Sequence, residues 1–153
     1  MTEFKAEEVV AYFKALEAEL LDPNRRTAFG FAAEFRESVP EAGGVYVFFH
    51  QGRVVYVGET TSLRQRLAVH MRNPENHVLA LKIARLLYDK LNGSGSAGSA
   101  RKFLESHKEA TRQWAASNLH VAFADMAIGR KELEERLVAH HAPLFNARYP
   151  ELP

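Results

Sequence analysis

Residues 44–58, GVYVFFHQGRVVYVG, constrain the fold more than any other stretch of this chain. Valine, tyrosine and phenylalanine fill both halves, and His50-Gln51-Gly52 separates them, which is the composition of a β-hairpin. A three-residue loop ending in a left-handed glycine places Phe49 opposite Arg53, Phe48 opposite Val54 and Tyr46 opposite Tyr56. Tyr46, Phe48, Val54 and Tyr56 then share one face. A two-residue loop would shift that register and separate the tyrosines.

The flanking sequence supplies helices. Val9, Phe13, Leu16 and Leu20 form a stripe that predicts a helix over residues 6–21, ended by Asp22, Pro23 and Asn24. Phe29, Phe31 and Phe35 mark a second helical segment ending near Pro40, whose rings cover one face of the sheet. Ser62 and Gln65 form a capping box that starts a helix at Leu63 and carries it to His70 or Met71. Asn73 and Pro74 predict the next helix, running to about Leu91 with Val78, Leu81, Ile83, Leu86 and Leu87 as its stripe. Residues 92–99 have linker composition, and a further helix is expected over 100–116. Leu119–Ala124 alternates like a strand, and a last helix spans Arg130 to His141 before Pro143. The expected assembly is α+β, a small three-stranded antiparallel β-sheet flanked by helices.

A chain of 153 residues that is 46% hydrophobic and 25% charged can bury one core. It has no cysteine, which excludes disulfides, thiol catalysis and cysteine-based zinc sites. No apolar run approaches 18 residues, so no membrane association is expected. The opening MTEFKAEE is not a secretory signal, and a cytoplasmic location is the expectation. The net charge of +1 hides an uneven distribution: residues 1–41 carry −4 and residues 42–90 carry +4. A basic middle suits a polyanionic partner held on one surface.

Several polar residues can carry chemistry, and each has a plainer structural use. A tyrosine pair on a hairpin is ordinarily packing with a satisfied hydroxyl, but Gly44 beside Tyr46 and Gly58 beside Tyr56 permit a close approach of ligand or backbone. Arg66 and His70 lie four apart on one helical face, from which Arg66 can grip a phosphate through its planar fork. Glu134 sits in the charged run 132–135, and a carboxylate turned inward there is a hard ligand for a divalent ion. Asn146 follows Pro143 and offers an orienting amide. The histidines at 107, 120, 140 and 141 form no zinc-ligand pattern.

Five pieces now stand in a fixed order: GVY at 44–46, YVG at 56–58, SLRQRLAVH at 62–70, Glu134, and HAPLFN at 141–146. Together they resemble the GIY-YIG nuclease family, found in the amino-terminal domain of a bacterial excision-repair nuclease, in homing endonucleases and in small restriction enzymes. Val45 and Val57 stand where the family name has isoleucine. The resemblance covers about residues 43–91 and 119–146. It implies an N-terminal helical extension at 1–42, a nuclease domain at 43–146 with a linker-like loop and added helix at 92–118, and a C-terminal tail at 147–153.

The resemblance further implies an endonuclease that cuts DNA with one Mg²⁺ or Mn²⁺. Tyr46 would be the general base, Tyr56 would orient the water or Tyr46, Arg66 would counter transition-state charge, and His70 would assist by hydrogen bonding. Glu134 would hold the metal and Asn146 would anchor the site. Arg53, Arg64, Arg66 and Arg72 are the expected nucleic-acid contacts. A tyrosine near pKa 10 is a poor base at pH 7, so nearby positive charge must favour its phenolate. Glu59, directly after YVG, places a carboxylate beside the phosphate path, which is tolerable if it pairs with Arg64 or Arg53 or points away from the site. The rival readings are a catalytically silent nucleic-acid-binding domain, a structure-selective or RNA-directed nuclease, and a protein-interaction module. A single-metal site cuts one strand per pass, so double-strand cutting needs a homodimer or two binding events.

Overall fold

The computed structural model describes residues 6–92 and 104–147. In chain order these form α1 (Ala6–Leu21), β1 (Thr27–Ala28), α2 (Ala33–Ser38), β2 (Gly44–His50), β3 (Arg53–Thr60), a helical segment at 65–72, α3 (Val78–Asn92), α4 (Glu105–Asn118), β4 (Leu119–Asp125) and α5 (Arg130–His141). The fold is α+β, and the sheet is antiparallel with strand order β1-β4-β2-β3. Three strands were expected; the fourth, β1, is a two-residue exposed pairing of Thr27 with Val121 and Ala28 with His120. Two residues are too few to show an alternating pattern. Among the described residues no helix is long and apolar enough to cross a membrane.

The hairpin corrects the expected register. His50 pairs with Arg53 and Phe49 with Val54, so the turn is the two residues Gln51 and Gly52, both left-handed at φ 52° and 77°. Such a turn matches the twist of the strands it joins. Left uninterrupted, this register would send the two tyrosines to opposite faces. A β-bulge at Val55 restores them to one face, because Phe48 then pairs with Tyr56 and Tyr46 with Gly58. Tyr46 therefore stands opposite Gly58 and diagonal to Tyr56, with ring centroids 6.1 Å apart. Val54 falls on the other face, with Val57 and Phe49.

The sheet has a core on each side. On one face Tyr46, Phe48 and Tyr56 pack with Phe29, Phe35, Leu63, Leu67, Met71, Leu79, Ile83 and Ala115. The expected phenylalanine cover is present, with Phe29 edge-on to Phe31, Phe35 and Phe48. On the other face Val45, Val47, Phe49 and Val57 meet Leu20 of α1 and Leu133 and Leu137 of α5. Strand β2, central and buried on both faces, is the shared wall.

Two helix starts differ from expectation. The amide of Gln65 does reach Ser62 Oγ at 3.4 Å, but the helix from Leu63 widens into a π-turn at Gln65–Val69 and tightens into a 3₁₀ turn at His70–Arg72. Asn73 closes only a local turn, accepting from the Glu75 amide at 2.9 Å. Helix α3 begins at Val78 rather than at Pro74, and His77 is its cap: Nδ1 accepts the Leu79 amide at 3.0 Å. The buried stripe becomes Leu79, Ala80, Ile83 and Ala84, leaving Val78 exposed. The glycine–serine run after Asn92 and the first turn of the helix expected at Ala100 lie outside the described residues.

Candidate active site

Tyr46 sits in the middle of β2 and is 1% exposed. Its ring crosses the neighbouring strand over Gly58. A Cβ at position 58 would stand 2.8 Å from Tyr46 Cε2 and nearer still to Cζ and the hydroxyl oxygen. Glycine is thus required there by the tyrosine rather than by a turn. Gly44 serves the backbone instead, since a Cβ there would strike the Ala124 carbonyl of β4. The Tyr46 hydroxyl lies 3.1 Å from Nε2 of His77, itself 2% exposed. Sequence reasoning alone misses His77, because the Asn73-Pro74 signature draws the helix start four residues too early. The available signal is a polar residue one position before an apolar helical run.

The π-turn carries Arg66 to the two tyrosines. π-Turns recur where a side chain must be re-aimed at a site. Burial raises the pKa of Tyr46, the Tyr56 hydroxyl raises it further, and Arg66 opposes both by hydrogen bonding and charge. Burial likewise raises Tyr56, against the charge of Arg66. Glu134 of α5 acts on both tyrosines and pushes both upward. Arg66 also donates to the Asn76 carbonyl at 3.2 Å, which ties the turn before α3 to the same arginine. His77 is pushed down to about 3 by burial and then by the charges of Arg66 and His70, so its ring is neutral. His70 Nδ1 is enclosed without a hydrogen-bond partner among the described residues.

Glu134 neighbours the buried Leu133 on α5, and its carboxylate accepts from the Glu59 backbone near the end of β3. Its pKa is raised, first by burial and then by the charge of Glu59. Glu59 pairs with Arg130 at 3.3 Å, not with Arg64 or Arg53. Glu59 has the Arg130 guanidinium, and the neighbouring Glu134 carboxylate still feels the negative charge of Glu59, which a cation would relieve, so the donor set fits a hard divalent ion. Among the described residues no group of three or more His, Asp or Glu could hold a metal. Glu134 would therefore be one protein ligand in a shell completed by water and phosphate oxygens, as Mg²⁺ accepts.

Asn146 does not point at the tyrosines. Its carboxamide accepts from the Val57 amide and donates to the Val57 carbonyl, both at 2.8 Å. It thereby fixes the strand residue between Tyr56 and Gly58. The basic residues divide. Arg64 is held by the Val39 carbonyl and Glu41, and Arg72 by the Ala68 and Phe31 carbonyls. Arg53 is exposed at the hairpin tip, lining an open cavity with Arg26, His50 and His141 and, among the described residues, with no acidic side chain in its wall.

Tyr46 and Tyr56 from the hairpin, Arg66 from the π-turn and Glu134 from α5 thus interact around the Gly58 end of β3, and His77 stands behind Tyr46. Among solved structures, the chain is similar to the GIY-YIG N-terminal endonuclease domain of UvrC from Thermotoga maritima. A point mutant bound to its catalytic divalent cation is 20% identical over 75% of this chain and 93% of that one, at a TM-score of 0.40. The magnesium-bound form is 18% identical over 74% and 93%, at 0.39. Restriction endonuclease HPY188I in complex with product DNA is 10% identical over 99% and 95%, at 0.27. No curated protein sequence matches the chain. The family model of the GIY-YIG catalytic domain matches residues 45–151, well over half of the sequence and every element that builds the site. This protein belongs to the GIY-YIG catalytic domain family.

Proposed function

We propose that the chain is a metal-dependent endonuclease that hydrolyses DNA phosphodiester bonds. The observation that carries this reading is the mutual influence of Tyr46, Tyr56, Arg66 and Glu134, drawn from three separate segments to one end of the sheet. Residues 43–146 form the catalytic unit in this proposal, and the segments at 1–42 and 92–118 are additions to it.

Tyr46 is the base. Burial keeps it a neutral phenol in the free protein, and Arg66 supplies the positive charge that favours its phenolate. The phenol first gives up its own proton to solvent beside Arg66; the phenolate then takes a proton from the attacking water, the water oxygen bonds to phosphorus, and the bond from phosphorus to the 3′ oxygen breaks. The products are a 5′ phosphate and, after protonation by solvent, a 3′ hydroxyl. Tyr56 orients Tyr46 and the water. Arg66 counters charge on the phosphoryl oxygens. His70 follows Arg66 by one helical turn and assists by hydrogen bonding, and Arg53 extends the basic surface along the hairpin. Glu134 is the residue placed to hold Mg²⁺ or Mn²⁺, which when bound supplies Lewis-acid polarisation of the phosphate and stabilises the leaving oxygen.

The test is conversion of supercoiled plasmid with Mg²⁺, with Mn²⁺ and with EDTA, beside Glu134→Gln. The expected result is metal-dependent cleavage that Glu134→Gln lowers by more than about 100-fold. The variant should fold normally, and Mg²⁺ should raise the melting temperature of the wild type but not of the variant. Wild-type turnover by Glu134→Gln would overturn the assignment of the ligand. Nicked product marks one cut per encounter, and linear product marks two copies or two encounters.

A further inference from the structure

His77 is a buried ring with both nitrogens engaged, and the two contacts together fix where its proton lies. A backbone N–H can only donate, so Nδ1, which receives the Leu79 amide at 3.0 Å, carries no proton. The proton of the neutral ring is therefore on Nε2, 3.1 Å from the Tyr46 hydroxyl oxygen. The ring donates and the tyrosine oxygen accepts. One lone pair of that oxygen is taken, and the tyrosine's own proton must point away from the imidazole.

We propose that His77 is the positioning residue for the general base, a donor of fixed tautomer that aims the Tyr46 oxygen and stabilises it as the phenolate forms. This rests on the reading of Tyr46 as the base. His77 is 2% exposed and cannot touch substrate, so it acts only through Tyr46. No proton passes through it: the water's proton goes to Tyr46, and His77 keeps its own throughout. The arrangement also distinguishes two histidines. His70 shares a helical face with Arg66 by spacing, yet it is His77 that meets the hydroxyl. The lock comes from the fold, because a ring flip would break both the cap of α3 and the contact to Tyr46.

Two substitutions separate the two nitrogens. His77→Asn keeps an acceptor for the Leu79 amide and is too short to reach Tyr46. His77→Gln places an amide N–H near the former Nε2. Plasmid cleavage under saturating Mg²⁺ should show kcat reduced about 10- to 100-fold in His77→Asn with KM unchanged. His77→Gln should recover most of that loss. A kcat at the wild-type level in His77→Asn, or a His77→Gln no better than His77→Asn, overturns the proposal, since a mere helix cap predicts the reverse ranking. Long-range ¹H–¹⁵N correlation on the wild-type protein gives a readout independent of activity and of whether either variant folds: Nδ1 bare and Nε2 protonated is expected. The opposite tautomer in an enzyme that cleaves overturns the His77 assignment alone. A wild-type protein with the expected tautomer and no cleavage overturns the endonuclease reading on which the proposal stands.

Discussion

Gly58→Ala tests the packing of Tyr46, the proposed base, with one methyl group. The backbone at Gly58 needs no glycine conformation, since its φ is not in the left-handed region. Alanine in a strand is favoured over glycine by about 0.5–1 kcal/mol. Against this, the new Cβ would lie 2.8 Å from Tyr46 Cε2 and closer to Cζ and the hydroxyl, where ordinary contact begins at 3.4 Å. The ring must swing away by about 1 Å at its tip, and overpacking of this kind costs about 1–3 kcal/mol. The net loss of stability is then about 0–2.5 kcal/mol, at most about 10 degrees in melting temperature. The hydroxyl, however, leaves both His77 and its place beside Arg66. A 1 Å misplacement at a reacting group costs about 100-fold in rate. The assay pairs thermal denaturation with plasmid cleavage, and uses Gly44→Ala as the contrast. There the obstruction is the Ala124 backbone carbonyl, which cannot rotate aside, so Gly44→Ala should lose the fold with the activity. A folded Gly58→Ala that cleaves at the wild-type rate would refute the argument that this glycine exists to seat the Tyr46 hydroxyl.

Two further outcomes follow from hydrogen bonds at longer range. Asn146→Ala removes both contacts to Val57 and should lower stability by about 1–3 kcal/mol together with activity, read by urea denaturation and cleavage. A loss of rate without a loss of stability would mean that Asn146 acts on the substrate instead. Glu17 of α1 bridges to Arg136 at 2.8 Å and His140 at 2.7 Å on α5. Burial pushes its carboxyl up, but hydrogen bonds and charge from His140 and Arg136 outweigh this and hold it below its ordinary 4.5. A depressed folded pKa gives stability that is present above the unfolded value and lost as pH falls through the folded one. Glu17→Gln should therefore cost up to about 1 kcal/mol at pH 7, and that cost should shrink as pH falls below the ordinary 4.5, read by urea denaturation across that range.

The parts of the fold legible in the sequence are those with a strong period or an unambiguous stop. Helix α1 ends at Leu21 before Asp22 and Pro23, and α5 runs from Arg130 to His141, as their flanking residues predict. Strand β4 is readable because Leu119 and Val121 alternate against Ala122 and Ala124 across two cores. The hairpin is readable as a hairpin but not in register, because a loop residue and a bulge residue trade against each other: moving His50 into the ladder and Val55 out of it preserves the tyrosine face. The start of α3 is misplaced by sequence reasoning because Asn73-Pro74 is locally a good cap, and only the tertiary contact to Tyr46 makes His77 the better one. That contact spans 31 residues, and nothing local encodes it. The partner of Glu59 is hidden for the same reason, since Arg130 lies 71 residues away.

The carboxamide of Asn146 has a consequence beyond holding Tyr56 in place. Strand β3 is the outermost of its sheet, and such a strand offers its unpaired peptide groups to any other chain that comes alongside. A side-chain amide that accepts from one N–H and donates to the C=O of the same residue reproduces what an added strand would bring. The protein thus closes its own rim with a residue from its carboxy-terminal turn, at the point where pairing with another molecule would pull the hairpin, and both tyrosines with it, out of shape. Protection of that rim and the shape of the tyrosine face then depend on the same two hydrogen bonds.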